Sequence, residues 1–321
     1  MRRHIAQLER TPFDGCVFHA NYHTPGGETG SFTWKAWGRR AFAREDLAPA
    51  LADLRATRRR RFKRLFLRVN MTPGDLDWFD DHAAVLANVE LAARVAKAGG
   101  CHGLLLDTES YDAALFDYRR RSEAGRRSWD EYVAQIRRRG RETIEAVQRG
   151  FPRADVFITL GYELPWRESE KGARPLTEIR YGLLGPFLDG MVEGTRTARL
   201  IDGHEIAYGF KTAQQFREAY VAARQQPPPV VGDPPRQQRV MTAGFGLWMD
   251  YNWRRYGWDE TAHEKNYFSP ETFEASLRAA WQTTDEYVWL YTETPRWWTE
   301  EGKPAHLPPA YDAAVRRAVG R

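Results

Sequence analysis

The chain has 321 residues, 42% of them hydrophobic, and a formal charge of +5. That length suits one large core of the α/β-barrel size. No apolar run approaches the roughly 18 residues of a membrane-spanning helix, and two cysteines are too few for a disulfide framework. Only seven of the 48 basic residues are lysine, and no nucleic-acid-binding motif accompanies the runs Arg58 to Arg64 and Arg119 to Arg121. These runs read as solvated helix ends, so neither a nucleic acid nor a membrane is an expected partner.

The chain opens on a helical stretch, Arg3 to Arg10, which has the positive residues of a leader but no apolar segment behind them. The default expectation is a cytoplasmic protein, or an exported one if the true start lies upstream. Short apolar runs then alternate with longer amphipathic stretches, the pattern of β-α units around a parallel sheet. The strands expected are Phe13 to Ala20, Leu65 to Asn70, Gly103 to Glu109, Asp155 to Gly161, Arg199 to Glu205, Met241 to Asp250 and Tyr287 to Glu293. Between them, helical spacing predicts Glu45 to Arg58, Asp81 to Ala98, Ser128 to Arg149, Leu176 to Leu188, Ala213 to Arg224 and Pro270 to Thr284. Asp81 and Ser128 suit helix starts, Gly99-Gly100 and Gly150 suit helix ends, and Pro270 suits a first turn. Cys16 and Cys101 read as small core residues.

The fold predicted is a single TIM-like (β/α)8 barrel domain spanning 1–321. Seven strands are clear and eight are needed. The eighth is either Phe187 to Gly194 or a strand upstream of Met1, the second being preferred because a helix normally follows a first strand. The proline-rich Gln226 to Arg236 reads as a loop, and Tyr251 to Phe268, polar and aromatic, suits a loop over an active site.

In such a barrel the C-terminal strand ends converge on one rim. Asp107 and Glu109 lie two apart on a strand, hence on one face. A like charge and an apolar floor both disfavour ionisation and would hold one carboxyl protonated. Glu109 is the expected proton donor, with Asp107 or Glu205 as the opposing carboxylate. Asp202 and Glu205, three apart, point to opposite faces, and Gly203 leaves room for ligand approach. Further binding candidates are Tyr111, Glu163, Asp202, His204, Asp250 and Glu293. Seven of twelve tryptophans lie from residue 248 onward. Trp248, Trp253, Trp289, Tyr291 and Trp298 are expected to stack on sugar rings. The loop residues Trp258 and Trp297 are likewise hard to read as core, and Trp281, on a helix, is expected to be core. No HxH, HExxH, paired-cysteine or phosphate-loop signature is present, so no metal or other cofactor is expected.

The segments NMTPGDLDWFDD, GLLLDTESY, LIDGHE and VWLYTETPRWW resemble a group of bacterial barrel proteins described as glycoside hydrolases, across most of the chain. The D-x-E at Asp107 and Glu109 is similar, more distantly, to the acid site of chitinase-like barrels. The longer D-x-x-D-x-D-x-E signature is absent, Leu105 standing at one of its acidic places, so the resemblance does not extend to N-acetyl-assisted chemistry. Residues and resemblance together predict a glycoside hydrolase acting on a carbohydrate through two carboxylates. A non-catalytic carbohydrate-binding barrel is the alternative, and a metal-dependent hydrolase using Asp107, Glu109, Asp202 and His204 is the third choice.

Overall fold

A computed structural model describes residues 1–321. After a helical turn, α1 (Ile5–Leu8), come β1 (Gly15–Phe18) and a small antiparallel hairpin of β2 (Asn21–His23) and β3 (Thr29–Ser31). Helix α2 (Ala48–Ala56) leads to β4 (Arg64–Asn70), α3 (Ala83–Ala98) to β5 (Gly103–Asp107), and α4 (Trp129–Gly150) to β6 (Asp155–Ile158). Next come α5 (Glu163–Glu168), α6 (Leu184–Gly194), β7 (Arg199–Asp202), α7 (Ala213–Arg224) and α8 (Pro234–Val240). The chain finishes with β8 (Met241–Ala243), β9 (Phe245–Trp248), α9 (Trp253–Tyr256), α10 (Pro270–Thr283), β10 (Val288–Tyr291) and α11 (Pro309–Ala318).

Strands β1, β4, β5, β6, β7 and β8 form one parallel sheet in chain order, as right-handed β-α crossovers require. At Gly244 the run predicted as one strand changes neighbours. Gly244 N–H donates to the Asp202 carbonyl, whereas Phe245 N–H donates to the Tyr287 carbonyl, and β9 continues in parallel with β10. All seven predicted strand segments are thus present. No hydrogen-bonded ladder joins β10 to β1, and Phe187 to Gly194 lies inside α6, so the architecture is an α/β fold with a six-stranded parallel sheet and a two-stranded extension.

Strand alternation divides the side chains between two cores. Leu65, Leu67, Leu104, Leu106, Val156, Ile158 and Leu200 face outward into the large core shared with α3, α4 and α6. Phe66, Leu105, Phe157 and Ile201 face inward, with Val17, Tyr287 and Trp289 packed against them. The Tyr287 ring lies 5.5 Å from Phe66 on β4 and 5.1 Å from Phe157 on β6, so the sheet is strongly curled. Every residue of β5 is buried, as a strand covered on both faces demands.

Local signals account for the helix starts. Ser128 accepts the Glu131 N–H while Glu131 reaches back to Ser128, a reciprocal cap, and Asp81 accepts from Ala83 N–H at 2.8 Å. Packing moved other predicted boundaries. The Leu176 to Leu188 helix is a 3-10 turn, Leu176–Glu178, followed by α6, whose apolar surface is needed against α4. Gln226 to Arg236 is not wholly loop, because Pro234 opens α8 under an Asp233 cap. Trp281 is 45% exposed on the solvent face of α10, not core. Cys16 and Cys101 are free, and burial pushes both thiols up to about 12.

Candidate active site

The inner face of the sheet carries its charge at the C-terminal ends of β4, β5 and β7. Arg68 and Asp107 lie one layer above Phe66 and Leu105, by strand alternation. Asp107 is fully buried, and its Oδ2 accepts from Arg68 Nε at 3.1 Å and from Arg68 Nη2, with the Tyr111 hydroxyl 3.0 Å away. Its Oδ1 accepts from Thr159 Oγ1 at 3.2 Å and from the Glu109 N–H at 3.0 Å. A carboxylate offers about four acceptor sites, so Asp107 is saturated by protein. It is a fixed, neutralised base for the site and is withdrawn from substrate, contrary to its expected role as an opposing carboxylate.

Glu109 stands above it, at the predicted same-face position, and accepts a hydrogen bond from Tyr111. Burial raises the Glu109 pKa and the Asp107 charge adds to that, while the Tyr111 hydrogen bond and Arg68 offset part of it, leaving it above the ordinary carboxylate value. Glu205 enters the same space from the far side, on the 3-10 turn Glu205–Gly209 that follows β7. Burial, then the charges of Glu109 and Asp107, push its pKa well above the usual range, with Arg68 and Tyr208 opposing only in part. Of the two, Glu109 has the closer anion-stabilising donors. Both carboxyls are thus held above the ordinary carboxylate value, chiefly by burial.

Aromatic rings wall this pair. Tyr208 stacks on Tyr291 at 5.8 Å and meets Trp289 and Trp248 edge-on at 5.3 and 5.8 Å. Gly246 is required here because a Cβ would stand 2.8 Å from the Trp289 ring. On the opposite side Trp34, half-buried, lies 4.9 Å from the Tyr111 ring and 5.7 Å from the Arg68 guanidinium. His19 sits 6.4 Å from Trp34, and burial together with Arg68 lowers its pKa, with Asp107 opposing in part.

Other predicted residues lie elsewhere or do other work. Asp250 is buried and accepts from Trp248 Nε1 at 2.9 Å, Glu293 N–H at 3.0 Å and Thr294 N–H at 2.8 Å, tying the ends of β9 and β10 together. Glu293 accepts from Trp253 Nε1 and from the Tyr291 hydroxyl at 3.2 Å, so Trp253 is fixed edge-on at the rim. Trp298 packs at a tilt against His4 at 4.6 Å, away from the carboxylates, and is not a wall of the site. Trp258 and Trp297 pack on the second core beside α11, Trp297 meeting Phe13 at 4.7 Å. Glu163, Asp202 and His204 cluster together on the helix-facing side of β7, with His204 Nε2 3.3 Å from Glu163 Oε2. Asp202 and Glu205 take opposite faces, but the strand expected to carry both ends at Asp202, and the turn through His204 places Glu205.

Asp107 and Glu109 are thus separated by the sheet from Asp202 and His204, and no group of three or more His, Cys, Asp or Glu side chains is arranged to hold a metal ion. Arg68, Tyr208, Trp34 and Thr159 escaped the sequence reading. Two carried a local signal: Arg68 interrupts an apolar strand at an inward position, and Tyr208 follows Glu205 by three, which on a 3-10 turn places both on one side. Trp34 and Thr159 are brought in only by the fold. Fold and site together define a parallel α/β protein with an acidic, aromatic-walled centre at the C-terminal strand edge. No protein-family model matches this chain, and no curated protein or solved structure matches it.

Proposed function

We propose that this protein is a glycoside hydrolase built on a (β/α) barrel, with Glu205 as general acid and Glu109 as the opposing carboxylate. The observation that carries the reading is the placement of these two carboxyls in one aromatic-walled space above the Arg68–Asp107 pair, with the Glu109 charge adding to the burial that raises the proton affinity of Glu205. Cleaving a glycosidic bond passes through an oxocarbenium-like state that needs a proton on the leaving oxygen and negative charge at the opposite side of the ring. Glu205 donates the proton and Glu109 supplies the charge. Asp107 positions Glu109 through its backbone N–H, and Tyr111 orients the Glu109 carboxylate. Curling of the sheet and the contact of Trp297 with Phe13 beside β1 support the barrel reading.

The test is the product profile from a broad panel of polysaccharides and aryl glycosides. Glu205→Gln should lower kcat by about 10²- to 10⁴-fold on substrates with poor leaving groups, the usual worth of general acid catalysis, and by far less on activated aryl glycosides. Equal loss on both substrate types removes Glu205 as the acid. Binding without turnover on any member of the panel selects the carbohydrate-binding reading, which the same aromatic walls support.

A further inference from the structure

Glu205 is aimed into the site by a turn whose other side is anchored away from substrate. Strand β7 ends at Asp202, which faces the helices, and the next three residues reverse the chain. Gly203 N–H donates to the Ile158 carbonyl at 2.8 Å, and a Cβ at Gly203 would stand 2.8 Å from that oxygen, so glycine here admits the neighbouring strand and not a ligand, as its position beside Glu205 had suggested. The Gly203 carbonyl accepts from Trp289 Nε1 at 2.8 Å, and Glu205 N–H donates to the Thr159 carbonyl at 3.0 Å.

Between them His204 adopts φ +46°, a left-handed conformation that a residue with a Cβ keeps only when its surroundings impose it. Those surroundings are specific. Its N–H donates to Asp202 Oδ1 at 2.9 Å, its Nε2 faces Glu163 Oε2 at 3.3 Å, and its Nδ1 lies 4.0 Å from Asp202 Oδ2. The rings of Phe210 and Phe245 close its flanks. The side chain is 2% exposed, and neither Nε2 nor Glu163 Oε2 makes an aligned hydrogen bond, with each other or with any other group.

We propose that His204 is a positioning residue for Glu205: clamped between Asp202 and Glu163 behind the sheet, it holds the Gly203–Glu205 turn in its left-handed form and so sets the pose of the acid in front. This deepens the glycosidase reading and rests on it for the role of Glu205. One imidazole facing two carboxylates satisfies both only as the imidazolium, which donates from both nitrogens. Burial pulls its pKa down, but Asp202 and Glu163 outweigh burial and the opposing Arg167, leaving it raised. The clamp is therefore complete below the ordinary imidazole value of about 6.5 and is lost as pH rises through the higher value of the folded protein.

The experiment needs no substrate. Protein labelled with 5-fluorotryptophan, its Trp289 resonance assigned with Trp289→Phe, is titrated from pH 5 to 9 and followed by ¹⁹F NMR. The Trp289 signal, reporting the Gly203 carbonyl, should shift with a midpoint above 6.5 in the wild-type protein and in Glu205→Gln. The shift should vanish in His204→Asn, which tolerates the left-handed conformation and keeps its circular dichroism. Glu163→Gln, which removes one carboxylate, should move the midpoint to lower pH. A flat Trp289 signal in the wild type, a titration surviving in His204→Asn, or an unmoved midpoint in Glu163→Gln would each overturn the proposal. Absence of carbohydrate turnover would leave these results intact and count against the enzymatic reading alone.

Discussion

Replacing Arg68 with methionine tests the base of the site directly. The change keeps an unbranched side chain of similar reach but removes two donors to Asp107 Oδ2, one donor to the Tyr111 hydroxyl at 2.8 Å, and the guanidinium over Trp34. Asp107 is fully buried and Arg68 largely so, with side-chain exposures of 0% and 19%. Breaking one side of a buried pair leaves an uncompensated charge and costs about 3–5 kcal/mol. With an unfolding entropy near 2.1 cal/mol/K per residue, a single cooperative unit of this size should lose about 4–8 °C in Tm. Differential scanning calorimetry of Arg68→Met, Asp107→Asn and the double variant gives the coupling. The double variant should recover much of the loss, because no buried charge is then stranded. An unchanged Tm in Arg68→Met, or strictly additive losses, would refute the view that Arg68 and Asp107 form a coupled buried pair.

Glu205→Gln should stabilise the protein at neutral and alkaline pH, since the raised pKa of Glu205 means that its ionisation penalises the folded state. That penalty is complete above the folded value and disappears below the unfolded value of about 4.3. The Tm difference between variant and wild type should therefore be positive at pH 8 and shrink towards zero at pH 5. A constant difference across that range would place the effect in packing. Trp34→Ala should weaken oligosaccharide binding by about two- to tenfold, the usual worth of a ring contact of 0.5–1.5 kcal/mol, whereas Trp298→Ala, 42% exposed against His4, should leave titration calorimetry unchanged. Matching losses in the two variants would return Trp298 to the site.

Much of the scaffold was legible because its signals are local. Short apolar runs marked all seven strand segments, although β5 ends at Asp107 and β7 at Asp202, so Glu109 and Glu205 follow their strands instead of closing them. Ser128 and Ser269 cap the helices they precede because a side-chain oxygen meets a free N–H three residues on. The aromatic loops were not legible in this way. Trp253, Trp258, Trp297 and Trp298 share a composition, yet one meets Glu293, two pack on the second core and one packs against His4, because the path of each loop depends on surfaces far away in sequence.

The electrostatic surroundings of these carboxyls were likewise decided by tertiary structure. Sequence placed three carboxyls, Asp107, Glu109 and Glu205, where they could meet. Only the fold brought Arg68 onto Asp107 and left Glu205 without a cation of its own, and proton affinity depends on those partners rather than on residue type. The same holds for His204, whose neighbours in sequence suggested a ligand contact. Strand alternation alone would have turned it away from the site, but its Glu163 partner lies on α5, 41 residues upstream, a distance across which no periodicity carries information.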